Sequence, residues 1–136
     1  MDKKFDIQKY VSIADGGFYA WDIVENRFWA DKRFAEIMGV DHELIDQGLP
    51  AEGFLDLVHE DDRISLMDGM KKAIVDRKPF QMMYRILRGT KFVQISEYGQ
   101  CLRSVDGFAT LFTGIIFETS EDASQRLAGN ENVSLV

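Results

Sequence analysis

Between Phe5 and Ala14 the apolar residues Ile7, Tyr10, Val11 and Ala14 recur at three- and four-residue spacing, which predicts a short amphipathic helix. Asp15-Gly16-Gly17 ends it, because glycine readily takes the left-handed conformation that a helix terminus needs. The period then drops to two. Phe18 to Ile23 reads as a strand with Phe18 and Ala20 on one side and Tyr19, Trp21 and Ile23 on the other. Both sides are apolar, so the sheet it joins is covered on both faces. Glu25-Asn26 makes a turn, and Arg27-Phe28-Trp29 starts a second short strand that pairs with the first as a hairpin.

Asp31 caps a helix that carries Phe34, Ile37 and Met38 on one side and ends at Gly39. From Asp41 to Leu57 short apolar pieces alternate with Gly48, Pro50 and Gly53, which predicts brief helical turns joined by loops. His59-Glu60-Asp61-Asp62-Arg63 opens a longer helix running to about Arg77, with Met67, Met70 and Ile74 as its apolar stripe. Acids in its first turn and Lys71, Lys72, Arg77 and Lys78 towards its end both suit the helix dipole. After Pro79 the alternation returns. Phe80, Met82, Tyr84 and Ile86 share one strand face, Gly89-Thr90 turns the chain, and Phe92 to Leu102 forms a long strand. Asp106-Gly107 is a strong hairpin signal, and Phe108 to Phe117 is a last strand rich in β-branched and aromatic residues.

Helix, two strands, several helices and three strands, in that order, make an α+β domain. The simplest arrangement is one five-stranded antiparallel sheet with helices packed on one face and an N-terminal cap helix. The boundaries are 1–16 for the cap helix, 17–119 for the domain and 120–136 for a connector or tail. That tail starts like a helix, breaks at Gly129-Asn130 and shows no sustained heptads, so it carries no visible coiled-coil output. The first helix or another protomer is left to cover the second sheet face.

A chain of 136 residues has room for one domain and little more. Ten Phe, four Tyr and two Trp within an apolar share of 46% supply one packed core and confine disorder to the ends. A net charge of −7, from 23 acidic and 16 basic side chains, repels phosphate backbones and anionic lipid. Neither nucleic-acid binding nor membrane insertion is therefore expected. No run of about 18 apolar residues occurs, and the first residues lead into nothing like a signal peptide, so the cytoplasm is the expected location. One cysteine, Cys101, forms no internal disulfide, and with only two histidines it makes no four-ligand zinc site without carboxylates.

Five segments resemble the PAS domain family, particularly the type found in bacterial sensor proteins of two-component and related signal transduction. Gly17-Phe18-Tyr19-Ala20-Trp21-Asp22 resembles its opening strand, and Trp29-Ala30-Asp31 through Phe34 to Ile37-Met38-Gly39 resembles the helix that follows. Val58-His59-Glu60-Asp61-Asp62-Arg63 is similar to its His-Pro-Asp-Asp-Arg helix start, with Glu60 in place of proline. Pro79-Phe80 to Tyr84-Arg85-Ile86 resembles the next strand, and Gly114 to Glu121 resembles the closing strand with its Asp-Ile-Thr-Glu ending. Two departures stand out. The Arg88-Gly89-Thr90 turn is short and lacks the acid that normally precedes its glycine. Glu118 stands where the family has an Asp, an acid that in the family often pairs with a basic residue inside the fold.

The residues offer little for catalysis. His59-Glu60-Asp61-Asp62 reads as helix-start chemistry, since successive residues entering a helix point in different directions and at most two could meet one ion. No nucleophile elbow, phosphate-cradling loop or His-Glu-x-x-His motif occurs, so no metal site and no enzyme activity are expected of this chain. The resemblance brings haem and flavin into view without favouring either. His42 and His59 lie outside the long helix that supplies the haem ligand in one haem subgroup; other haem-binding members use the loop region in which His42 lies. The flavin-binding light sensors carry their cysteine in an Asn-Cys-Arg-Phe-Leu helix motif, whereas Cys101 sits on a strand and reads as a small buried residue.

In the family, ligands sit between the inner sheet face and the helices. Here that space is lined by Phe28, Phe34, Met38, Phe54, Leu57, Met67, Met70, Ile74, Met82, Tyr84 and Phe112, which suit an apolar ligand or a filled core equally. The resemblance implies a sensory or regulatory module, binding a small ligand or a partner and relaying the change through its dimer interface and terminal helices. A homodimer is expected, with an output domain or signalling partner in cis or in trans. Ile7, Tyr10 and Val11 together with Tyr19, Trp21 and Ile23 are the candidate dimer surface. A ligand-free dimerisation module is the alternative.

Overall fold

In the computed structural model, which describes residues 15–119, the chain begins with two strands, β1 (Gly17–Asp22) and β2 (Arg27–Ala30). Asn26 makes their hairpin. It takes a left-handed backbone (φ 54°), and its Oδ1 accepts from Trp21 Nε1–H at 3.0 Å and from the Ala51 amide at 3.2 Å. One asparagine thus closes the turn and fixes the start of a later helix, a double task suited to a side chain that tolerates positive φ. The predicted helix of residues 5–14, and Ile7, Tyr10 and Val11 with it, lies outside the described residues, as does the tail of 120–136.

Four helices follow: α1 (Lys32–Met38), α2 (His42–Asp46), α3 (Ala51–Leu55) and α4 (Glu60–Asp76). Asp31 caps α1 by accepting the Phe34 amide at 2.8 Å, and Gly39 ends it with φ 73°. His59 caps α4 through Nδ1, which accepts the Asp61 amide at 3.0 Å, with Glu60, Asp61 and Asp62 in the first turn. The apolar stripe of α4 differs from the expected one. Leu66 and Ala73 are buried and Met70 and Ile74 partly so, while Met67 is 49% exposed. The helix is rotated so that Leu66 takes the place assigned to Met67. A lone pair of neighbouring apolar residues cannot tell the sequence pattern which of them points inward.

Three long strands complete the domain: β3 (Phe80–Arg88), β4 (Lys91–Val105) and β5 (Phe108–Thr119). All neighbours are antiparallel and the sheet order is β2-β1-β5-β4-β3. Gly89-Thr90 closes β3 onto β4 with Arg88 opposite Lys91, and Asp106-Gly107, both left-handed, closes β4 onto β5. Phe80, Tyr84 and Ile86 lie buried on the inner face with Met82 partly buried, as the alternation predicts. The five-stranded α+β architecture is therefore the one the chain was expected to adopt.

One face assignment is corrected. Tyr19, proposed for an outer dimer surface, is buried under the helices at 4% exposure, and Trp21 and Ile23 pack partly buried against the same core. Phe18 and Ala20 face outward instead, Phe18 at 47% exposure. The physical reason lies in the partners. Trp21 sits opposite the buried Phe28 and Phe112, and Tyr19 opposite Gly114, which leaves space for its ring. Cys101 is likewise only half-buried, with Sγ 3.3 Å from the Arg103 carbonyl at a bulge in β4.

Candidate functional site

The space between the inner sheet face and the helices is occupied by the chain's own rings. Tyr19 stacks on Phe28 with centroids 5.0 Å apart, and Phe28 stacks in turn on Phe54 at 5.3 Å. Phe34 from α1 tilts against Phe28 at 5.4 Å, Phe54 from α3 meets Tyr84 edge-on at 6.4 Å, and Tyr19 stacks on Phe112 at 6.4 Å. These rings and Met38 are buried, and Leu57, Met70, Ile74 and Met82 close the rim partly buried. Of the predicted lining residues, only Met67 is turned out to solvent.

At the centre of this apolar layer sits a carboxyl that the sequence reading did not single out. Glu97 of β4 is fully buried. Tyr84 Oη–H donates to its Oε1 at 2.7 Å from β3, and Tyr19 Oη–H donates to its Oε2 from β1. Burial pushes the Glu97 carboxyl above the usual carboxylate range, against the pull of the two hydroxyl bonds. Burial and the neighbouring carboxyl push both tyrosine hydroxyls well above their ordinary value.

The signal for Glu97 was present. A two-residue turn at Gly89-Thr90 fixes the register of β3 on β4, which places Glu97 opposite Met82 and two pairs along from Tyr84–Ile95, on the same apolar face. An acid at such a position needs a buried partner.

Two guanidinium–carboxylate pairs brace the domain, one between α4 and the sheet and one within the sheet. Arg88 grips Glu118 with both ends of its guanidinium, at 2.8 and 3.0 Å, and also donates to the Ile37 carbonyl at the end of α1. Glu118, which departs from the family's Asp, thus does have a basic partner in Arg88. Arg85 holds Asp62 in the same two-pronged way, at 2.9 and 2.8 Å, while its backbone amide donates to the same carboxylate. The guanidinium bonds hold the Glu118 and Asp62 carboxyls below the usual range.

Neither histidine points into the ring cluster. His42 Nε2 lies 3.1 Å from the Ala30 carbonyl and 3.5 Å from Asp46, and the ring of His59 packs on Phe92 at 4.5 Å. Among the described residues no three His, Cys, Asp or Glu side chains gather where they could hold a metal ion, and no helix is long and apolar enough to cross a membrane.

The outer sheet face is the other candidate. An open groove of about 330 Å³ runs over it, lined by Phe18, Gln81, Tyr98, Gln100, Thr113 and Ile115. Tyr98 meets Phe117 edge-on at 6.3 Å beside it. The incoming chain passes close by, since a Cβ on Gly16 would stand 2.6 Å from Ile115 Cδ1.

A family model described as the PAS fold matches residues 27–116. Among curated proteins none matches. Several solved structures are similar. A sensory box histidine kinase/response regulator from Burkholderia thailandensis superposes with a TM-score of 0.70 and 22% identity, covering 95% of this chain and 98% of that one. The N-terminal domain of a diguanylate cyclase with PAS/PAC sensor from Marinobacter aquaeolei gives 0.67 and 14%, covering 76% and 94%. A PAS domain from Colwellia psychrerythraea gives 0.63 and 16%, covering 85% and 99%. At these identities the likeness is one of fold.

Proposed function

The chain belongs to the PAS fold family, and on that premise we propose that it is a sensory, regulatory module of signal transduction that acts through contacts of its outer sheet face and its two termini. It works in the cytoplasm as a homodimer and modulates an output domain or partner, in cis or in trans, rather than catalysing a reaction itself. The observation that carries this reading is the outer face. Phe18, Tyr98, Ile115 and Phe117 leave an apolar, largely aromatic patch on the sheet's central strand β5 and its neighbours β1 and β4, beside the point where the chain enters β1. Such a patch on a small acidic domain marks a contact surface. It also takes over from Tyr19, Trp21 and Ile23 as the proposed dimer surface on the sheet; Ile7, Tyr10 and Val11 stay candidates from the sequence alone.

Light scattering on the full chain tests it. The expected result is a dimer that Phe18→Glu converts to a folded monomer. A monomer at high concentration, or a dimer indifferent to Phe18→Glu and Ile115→Glu, would overturn it.

A second reading is favoured by the stacked rings. Phe28, Phe34, Phe54, Tyr84 and Phe112 fill one another's contacts, which supports a ligand-free dimerisation module. A planar haem or flavin would have to displace them, and neither histidine faces that space. Native mass spectrometry and an absorption spectrum separate the two: added mass or colour supports a ligand sensor, and the bare chain mass supports the dimerisation module.

A further inference from the structure

Sheet order gives the Tyr19–Glu97 bond its interest. Tyr19 is on β1 and Glu97 on β4, and β5 runs between them. The tyrosine ring crosses a whole strand to reach the carboxyl. Two glycines make the passage. A Cβ at Gly114 of β5 would stand 2.5 Å from Tyr19 Oη, and one at Gly99 of β4 would stand 2.9 Å from it. On the other side Tyr84 bonds the same carboxyl from β3. One side chain therefore joins three strands, including both that flank β4 and β5.

The trio is poised between two proton states. An ionised Glu97 has two oxygens and two hydroxyl donors, so every group is satisfied. A neutral Glu97 brings a third proton, leaving one hydroxyl to find an acceptor elsewhere. Hydrogen-bond inventory thus favours the charge, and burial opposes it. The titratable groups facing the carboxyl are Tyr19 from β1 and Tyr84 from β3; β5 presents Phe112, Gly114 and Ile116, and the helices close over the sheet with Phe34, Phe54 and Leu66. No cation is among the groups acting on it.

We propose that Glu97 is a proton-operated latch. With its proton, the carboxyl ties β1 to β4 across β5 through Tyr19 and to β3 through Tyr84. When the proton leaves to solvent, the buried charge, which two hydroxyls bond but no cation neutralises, draws water into the ring cluster and frees β1, the strand next to the N-terminal segment. The latch goes beyond the sensory reading and is testable without it, on the isolated chain.

The test is a titration of the full chain labelled at the glutamate side-chain carboxyls, followed by NMR from about pH 4 to about pH 9, with amide hydrogen exchange on the same samples. One carboxyl, assigned by its absence in Glu97→Gln, is expected to titrate well above the others. Between about pH 4.3, where an exposed glutamate titrates, and the Glu97 midpoint, β1 amides are expected to open about tenfold more for each pH unit, after correction for intrinsic exchange, and to level off beyond it. Glu97→Gln keeps the size and lacks the proton, so its β1 opening is expected to stay flat with pH. Tyr19→Phe removes a donor that stabilises the charge, and the Glu97 titration is expected to move higher still. Titration of Glu97 with the other glutamates, or β1 exchange that ignores its ionisation, would overturn the proposal. So would an unchanged pH response in Glu97→Gln. Should Glu97→Gln fail to fold, Glu97 is assigned through its bonded neighbours, and the wild-type and Tyr19→Phe titrations decide.

Discussion

Gly114 lies directly beneath the Tyr19 hydroxyl: a Cβ added there would stand 2.5 Å from Tyr19 Oη and 2.6 Å from the Tyr98 carbonyl oxygen. Neither neighbour is free to yield. The hydroxyl is held by Glu97 and the carbonyl belongs to the backbone of the adjacent strand.

Gly114→Ala is therefore expected to destabilise the domain by about 1–3 kcal/mol, the usual consequence of overpacking a filled core. Chemical denaturation measures it. Combining it with Tyr19→Phe removes the tightest of the three contacts, the hydroxyl, and leaves the ring's Cε1 at 2.7 Å and the Tyr98 carbonyl, so the double variant is expected to lose somewhat less than the sum of the singles. Full additivity would show that the tyrosine does not cross β5 at Gly114.

Neighbouring residues of α4 provide a second test. Leu66 is fully buried and Met67 is half exposed, although both are large and apolar. Leu66→Ala is expected to cost about 2–5 kcal/mol, and Met67→Ala to remain within about 0.5 kcal/mol of the parent. Equal losses would mean that α4 is rotated from the orientation described.

Stability against pH is expected to have two limbs of opposite origin. Asp62 and Glu118 are held below their ordinary pKa by Arg85 and Arg88, so their folded forms bind protons less readily than the unfolded chain. That contribution is fully present above the unfolded value of about 4 and is lost as pH falls through the folded one. Glu97 is raised, so its folded form holds its proton longer. Its contribution is intact below about pH 4.3 and declines as pH climbs towards the folded value. Urea midpoints across pH are expected to show a shallower acid limb in Asp62→Asn and Glu118→Gln, and a flattened alkaline decline in Glu97→Gln.

Most of the architecture was legible from local chemistry. Asp31 and His59 announce helix starts, Gly39 a helix end, and Gly89-Thr90 and Asp106-Gly107 two hairpins, because each is a short-range bonding requirement that its own neighbours satisfy. The orientation of β1 was not legible. Phe18 and Tyr19 are both aromatic, and alternation separates them without saying which one the helices cover; that depends on Gly114, almost a hundred residues away. Met67 was misplaced for a similar reason, its neighbour Leu66 being equally apolar. Glu97 was hidden because an acid within a strand looks like a solvated position until pairing is worked through to Tyr19 and Tyr84.

Gly17 pairs with Ile116, so the described chain enters β1 and leaves β5 at the same end of two adjacent antiparallel strands. Tension applied between residues 16 and 119 would load that ladder like a zipper, one bond pair at a time, beginning at Gly17–Ile116 and running towards Asp22–Leu111. Pulled along the strand axis in opposite directions, the same six pairs would have resisted together. The geometry makes the seam mechanically soft at the one place where flanking segments attach, so small displacements there reach the middle of the sheet.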